Sequence, residues 1–176
     1  MVVKNYKIKI GYCPTMKNFT LKFANLHNYE AIEFSSAAQV LYLLKLNKLD
    51  MCIIGRQAKK SEFEGFVKRI DNGYTLISNS KGMIENSRLS SLEIHTNISK
   101  NKIEKLFPEL KNMKYHDNLN DALNKGNIQL ISWDDWNDDF ELLIPIDNQG
   151  NKNPKFRVPH IYSNNENNLC EINKNK

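Results

Sequence analysis

Arg56 is the residue best placed by type and context to do chemistry. It follows an apolar run, Met51-Cys52-Ile53-Ile54, and a glycine. A guanidinium at the end of a buried strand can grip a carboxylate or phosphate through two parallel N–H···O bonds; the plainer role is a surface pair with a nearby acid. Ser35 and Ser36 stand where a second strand gives way to a helix, and can donate to an anion or cap that helix. Tyr12 and Thr15 occupy the corresponding place after the first strand. Thr96, Ser99, Asp117, Asn118, Ser132 and Trp133 occupy the equivalent places later in the chain. Tyr12 and Trp133 either line a cleft with aromatic surface or pack in the core.

Other constellations argue for less. His116-Asp117 has the composition of a general base with an orienting acid, but neighbouring side chains at a strand end point apart. His95 lies within a strand and is expected to pack. Asp134, Asp135, Asp138 and Asp139 miss the calcium-loop spacing and are interrupted by Trp136, so they read as a solvated acidic turn with no metal. Cys13, Cys52 and Cys170 are odd in number and show neither zinc spacing nor a disulfide framework. Glycine-rich phosphate loops, nucleophile elbows and zinc motifs are all missing, and no cofactor is implied.

These residues are positioned by a doubled plan. Residues 7–56 and 92–134 each read strand, helix, strand, helix, strand. In the first, Tyr6 to Tyr12 alternates as a strand, 16–26 carries a helical stripe at Phe19, Phe23 and Leu26, and 31–34 is the next strand. Ser36-Ala37-Ala38-Gln39 has the form of a capping box for the helix that follows. Residues 51–55 form a continuous apolar run, as expected of a central parallel strand covered on both faces. In the second, strands at 92–95, 114–115 and 128–133 alternate with helices at 99–107 and 119–125, stopped by Pro108 and Gly126.

The fold class is therefore α/β, with two similar small lobes built on mostly parallel sheets. Lobe 1 is expected over 1–64 and lobe 2 over 91–139. Between them, over 65–90, Asp71-Asn72-Gly73 flanked by alternating runs signals a hairpin, followed by a polar loop at 80–90. Residues 140–163 are expected to supply a return strand to lobe 1, at 141–146, and an edge segment at 156–162. Residues 148–154 read as a turn-rich break, and 164–176 as a flexible, asparagine-rich tail.

Composition bounds the partners. The chain has 176 residues, 40% apolar and 26% charged, with a formal net charge of +5, and is globular in character. Its lysines and arginines are scattered instead of gathered on one face, so no direct nucleic-acid contact is expected. No apolar run approaches the ~20 residues of a membrane span, and the first residues lack the apolar core of a signal peptide. The expected setting is the cytoplasm.

Residues 8–12 as first strand, 49–56 closing the first lobe and the echo at 115–133 resemble the type 2 periplasmic-binding-protein fold over roughly residues 6–146. Within it, Tyr115-His116-Asp117-Asn118-Leu119 followed by Gly126-Asn127-Ile128 looks like the second lobe of effector domains of bacterial transcription regulators, YhfZ-type C-terminal domains being the nearest likeness. The resemblance implies non-catalytic capture of a small, anionic metabolite in an interlobe cleft. A homodimer would cover core left exposed by the short chain. An enzyme of small metabolites on the same fold, and a protein-interaction module without a ligand, are the alternatives.

Overall fold

The computed structural model describes residues 6–78, 89–146 and 152–174. The chain divides into two units, one formed by Met1–Asp71 with Val158–Lys176, the other by Asn72–Arg157. Each contains one five-stranded sheet.

In the first unit, β1 (Lys9–Tyr12), α1 (Lys17–His27), β2 (Glu30–Glu33), α2 (Ala37–Lys45) and β3 (Met51–Ile54) follow in order, then β4 (Phe66–Arg69). The sheet order is β2-β1-β3-β10-β4, where β10 (His160–Ser163) comes from the far end of the chain. β1 pairs in parallel with β2 and β3; β10 pairs antiparallel with both β3 and β4. All four residues of β3 and of β10 are buried. Side-chain alternation splits their contacts between two faces. Cys52, Ile54 and Tyr162 pack with Val40, Leu41 and Leu44 of α2, while Met51, Ile53 and Ile161 pack with Phe23 of α1. Gly11 lets β1 approach the first face closely, since a Cβ there would lie 2.4 Å from Leu49 Cδ1 and 3.0 Å from Val40 Cγ1. α1 ends at Asn28 with φ 58°, a left-handed cap that asparagine tolerates.

The second unit repeats the plan. It contains β5 (Tyr74–Ser78), β6 (Glu93–Thr96), α3 (Lys100–Leu106), β7 (Asn112–Tyr115), α4 (Leu119–Lys125), β8 (Ile128–Ser132) and β9 (Glu141–Leu142), with sheet order β7-β6-β8-β5-β9. β6 pairs in parallel with β7 and β8, and β5 runs antiparallel to β8 and β9. β6, β7 and β8 thus stand where β1, β2 and β3 stand in the first sheet. β5 stands where β10 does. Each sheet has one reversed strand among four that run the same way, and in each the reversed strand lies on the far side of the chain crossover.

Four expectations are corrected. The two runs around Asp71-Asn72-Gly73 form no hairpin: β4 pairs with β10 in one sheet and β5 with β8 and β9 in the other. Leu76 and Ile77 of β5 are both fully buried, as suits a strand inside a sheet, and β8 and β9 already occupy both of its hydrogen-bonding edges. The return strand is β10 and not residues 141–146; β9 stays in the second sheet. Residues 160–162 are interior, not an edge, because β10 has a partner on each side. The tail is tied down as far as it is described. Asn164 Nδ2 donates to Leu44 O at 2.7 Å, Ser163 Oγ donates to Asp50 O at 3.0 Å, and α5 (Glu166–Lys174) buries Leu169 against Ile10 and Met51. The loop expected at 80–90 and the break at 148–154 fall largely outside the described residues.

Leu44 is fully buried between α2 and the sheet. Leu44→Ala is expected to cost ~2–5 kcal/mol of stability, read as a lowered urea midpoint with an unchanged slope.

Candidate functional site

Parallel strands deliver ligand-binding groups beyond their carboxyl ends. In the first unit those ends belong to β1, β2 and β3. Tyr12 closes β1 with 5% of its surface exposed, and burial followed by the Glu33 carboxylate pushes its phenol above the ordinary tyrosine range. Cys13 and Thr15 follow, Sγ and Oγ1 3.4 Å apart. Beyond β2, Ser36 Oγ accepts from the Gln39 amide at 3.2 Å. Gln39 reaches back one residue further than a standard capping box requires: its Oε1 accepts from Ser35 N and from Ser35 Oγ. Both serine side chains are thus engaged in starting α2.

Arg56, beyond β3, forms a two-pronged pair with Glu62. Nη1 donates to Oε1 and Nη2 to Oε2, each at 2.7 Å, and Nη1 also donates to Gln57 O at 3.1 Å. Both side chains are 21% exposed. Glu62 also accepts from the Lys59 amide at 3.0 Å, and its Arg56 contact, ahead of any other influence, holds its carboxyl below the ordinary range. The loop is fastened to β10 as well: Ala58 N–H donates to the Tyr162 hydroxyl at 2.7 Å, and Phe63 meets the Tyr162 ring edge-on. Glu62 and Tyr162 were not foreseen. Nothing in Lys59-Lys60-Ser61-Glu62-Phe63-Glu64 singles out which acid turns inward.

In the second unit the expected residues are mostly occupied by local structure. Thr96 is fully buried, donating from Oγ1 to Leu130 O at 2.8 Å and accepting from Ile98 N. Ser99 caps α3, Asn118 caps α4 through the Asp121 amide at 2.9 Å, and Ser132 accepts from Asp134 N at 3.2 Å. Trp133 is 1% exposed, so its ring packs in the core. Asp117 is exposed and has no partner among the described residues.

His116 does not pair with Asp117. Its Nε2 lies 2.8 Å from Nδ1 of His95, with the two rings 19° apart. The signal was available: β6 and β7 are consecutive strands of one parallel unit, so residues at their ends come together. Thr96 aligns with Tyr115, and His116 N–H donates to Thr96 O at 2.8 Å. Among the described residues no group of three or more His, Cys, Asp or Glu side chains is arranged to hold a metal ion, and no helix is long and apolar enough to cross a membrane.

No family model matches the chain, and no curated protein matches it. Among solved structures it is similar to the E204G regulatory domain of OxyR2 from Vibrio vulnificus, with 10% identity, a TM-score of 0.38, and 97% of this chain and 94% of that one covered. Full-length BenM gives 12% identity and a TM-score of 0.41, covering 97% of this chain and 66% of that one. The substrate-binding domain of a putative molybdenum ABC transporter from Clostridium difficile gives 12% and 0.35, covering 96% and 90%.

Two outcomes follow from this geometry. Glu62→Gln removes one charge from a mostly buried fork and is expected to cost ~1–3 kcal/mol at neutral pH, measured by urea unfolding. His160 supplies a pH dependence. It is 2% exposed and donates from Nδ1 to Val158 O at 2.7 Å. Burial, with Arg69 and Arg56 adding to it, pushes its imidazole down from 6.5 to about 4. The unfolded chain therefore takes up this proton first. Stability is full above about 6.5 and falls, as pH drops towards about 4, by about 3 kcal/mol. His160→Asn should lack the loss in that window when unfolding is followed across it.

Proposed function

We propose that this protein is a non-catalytic binder or sensor of a small, anionic metabolite, and that the ligand is held at loops beyond the carboxyl ends of parallel strands. The observation that carries the reading is the repeated strand order, which twice gathers the carboxyl ends of three adjacent parallel strands, the place where open α/β sheets receive ligands. Arg56 at one of these ends is the group suited to a carboxylate or phosphate. Glu62, held at 2.7 Å on both prongs, is a carboxylate in the position that such an anion would take, and the reading is that ligand and Glu62 compete for it. Tyr12, Thr15, Ser35 and Ser36 from the first unit, and Thr96, Ser99, Asp117, Asn118, Ser132 and Trp133 from the second, frame the two sets of loops. The cytoplasmic setting, the absence of direct nucleic-acid contact and a homodimer are further parts of the proposal and rest on the sequence.

A thermal-shift panel of small carboxylates, phosphates, amino acids and oxyanions tests it. A ligand at 100 times its Kd adds ~2.7 kcal/mol, a rise of about 5–10 °C in Tm for a chain of this size. For any hit, Arg56→Lys is expected to weaken binding about tenfold or more, and Glu62→Gln to tighten it. A panel without hits, or a hit indifferent to both variants, would count against the assignment.

A further inference from the structure

β4 ends the first sheet. In the order β2-β1-β3-β10-β4 it is last, and among the described residues β10 is the strand that pairs with it. The ladder shows which of its backbone groups face outward. Ile70 N–H donates to Pro159 O at 3.0 Å, and these two residues stand directly opposite in the register that pairs Arg69 with His160. Along an antiparallel ladder, residues that exchange bonds with the partner alternate with residues that turn both groups away. Phe66, Lys68 and Ile70 therefore aim at β10, whereas Val67 and Arg69, with Gly65 before them, aim N–H and C=O at the outer side. The side chains at this edge are apolar and accessible. Phe66 is 43% and Val67 50% exposed, and Glu64 and Gly65 before them are exposed as well. An outward row of backbone donors and acceptors beside exposed apolar side chains is a template for a further strand.

The edge fits a second copy of itself. Outward residues must meet outward residues, so two β4 strands paired antiparallel about a two-fold axis centre on a residue and not between two. Centring on Lys68 sets two ammonium groups face to face, which destabilises. Centring on Phe66 draws Glu64 and Gly65 into the heart of the ladder, before the strand begins. Centring on Val67 places residues 66, 67 and 68 of both copies there, all within β4. Val67 then exchanges two hydrogen bonds with Val67 of the second copy, and each Phe66 ring lies opposite a Lys68 ammonium, an attractive pair. Gly65, without a side chain, leaves room for Arg69 of the second copy, and Glu64 lies diagonal to Lys68, within reach of a long side chain. The other edge of the sheet is guarded against such pairing. β2 begins and ends on the exposed carboxylates Glu30 and Glu33, which would face each other across a full-length antiparallel pair.

We propose that the protein forms a homodimer through β4, antiparallel and centred on Val67, which joins two five-stranded sheets into one continuous sheet. The inference deepens one part of the reading above, the homodimer, by giving it a surface and a register, and it needs no ligand. Both copies use the same patch, so the pairing closes on itself and yields two copies instead of a filament. A strand pair of this length buries little surface, and the dimer is therefore reversible.

Sedimentation velocity of the full chain from about 1 to about 300 µM, the range that a small interface calls for, is expected to show a reversible shift from one copy to two. Val67→Lys sets two ammonium groups at the axis and should raise the dimer dissociation constant about tenfold or more. Its urea midpoint should stay unchanged, because the Val67 side chain is half exposed. Cross-linking reads the register. Cys13 and Cys52 are buried and Cys170 is exposed, so the background is Cys170→Ser. There, Val67→Cys should form an intermolecular disulfide under mild oxidation, since residues that exchange bonds across the axis have Cα atoms about 5.5 Å apart. Phe66→Cys should not, because its two copies are offset by two residues along the strands, and Cα atoms more than ~7 Å apart cannot be bridged. Should Val67→Lys lower the urea midpoint, the two cysteine variants decide. A monomer throughout the range would leave the edge to an extended segment of another protein and overturn the inference. Species larger than two copies, a dimer indifferent to Val67→Lys, or cross-linking at residue 66 ahead of residue 67 would each overturn it too. None of these outcomes touches the ligand-binding reading, which the metabolite panel decides.

Discussion

β10 is the strand on which the first unit depends. Its four residues are buried, and its two edges carry the hydrogen bonds of β3 on one side and β4 on the other. A buried backbone group without a partner costs about as much as a lost hydrogen bond. Without β10, one edge of β3 would be unpaired in the core and β4 would lose the strand it pairs with. Ile161 and Tyr162 also serve opposite faces of the sheet, one in the core beneath α1, the other beneath α2. The first unit is therefore complete only after the chain has finished the second. Contacts of such long sequence separation carry a loop-closure cost during folding.

The same strand organises the loop beyond β3. Tyr162 accepts the Ala58 amide, Phe63 rests edge-on against Tyr162, and Arg56 and Glu62 close the loop with two charge-assisted bonds. The pair is anchored by neighbouring backbone: Arg56 also reaches Gln57 O, and Glu62 receives the Lys59 amide. A fork held this way loses little rotamer freedom when its carboxylate partner changes. The second unit uses a different device at its strand ends. An imidazole pair, backed by a glycine, spans β6 and the residue beyond β7. The two sheets share a strand order but not a polar chemistry, so repetition of the fold does not carry repetition of the site.

Much of the fold was legible in local pattern. The apolar run at 51–55, the capping residue Ser36, the helices expected at 99–107 and 119–125 and the stop at Gly126 depend on neighbours within one helical turn or one strand, and each lies within a few residues of its place in the structure. The doubled plan could be read for the same reason. The Asn-Gly signal misled because a turn propensity states that the chain can reverse, not which sheet receives the strand after it. The tail misled because its asparagines, polar by composition, turn inward to satisfy carbonyls such as Leu44 O.

The sequence alone determined where the helices and strands of the doubled plan lie and that they repeat, because those properties follow from periods of 3.6 and 2 and from the backbone preferences of single residues; α5, in a tail polar by composition, did not show. Tertiary structure decided the rest. It assigned β4 and β5 to different sheets, placed β10 at the centre of one of them, gave Glu62 to Arg56 and joined His95 to His116 across 21 positions. The strand pairings and the His95–His116 contact are choices among partners distant in the chain, made by burial and hydrogen-bond satisfaction together; Glu62 lies six residues from Arg56, and there packing of the loop on β10 decides which acid turns inward.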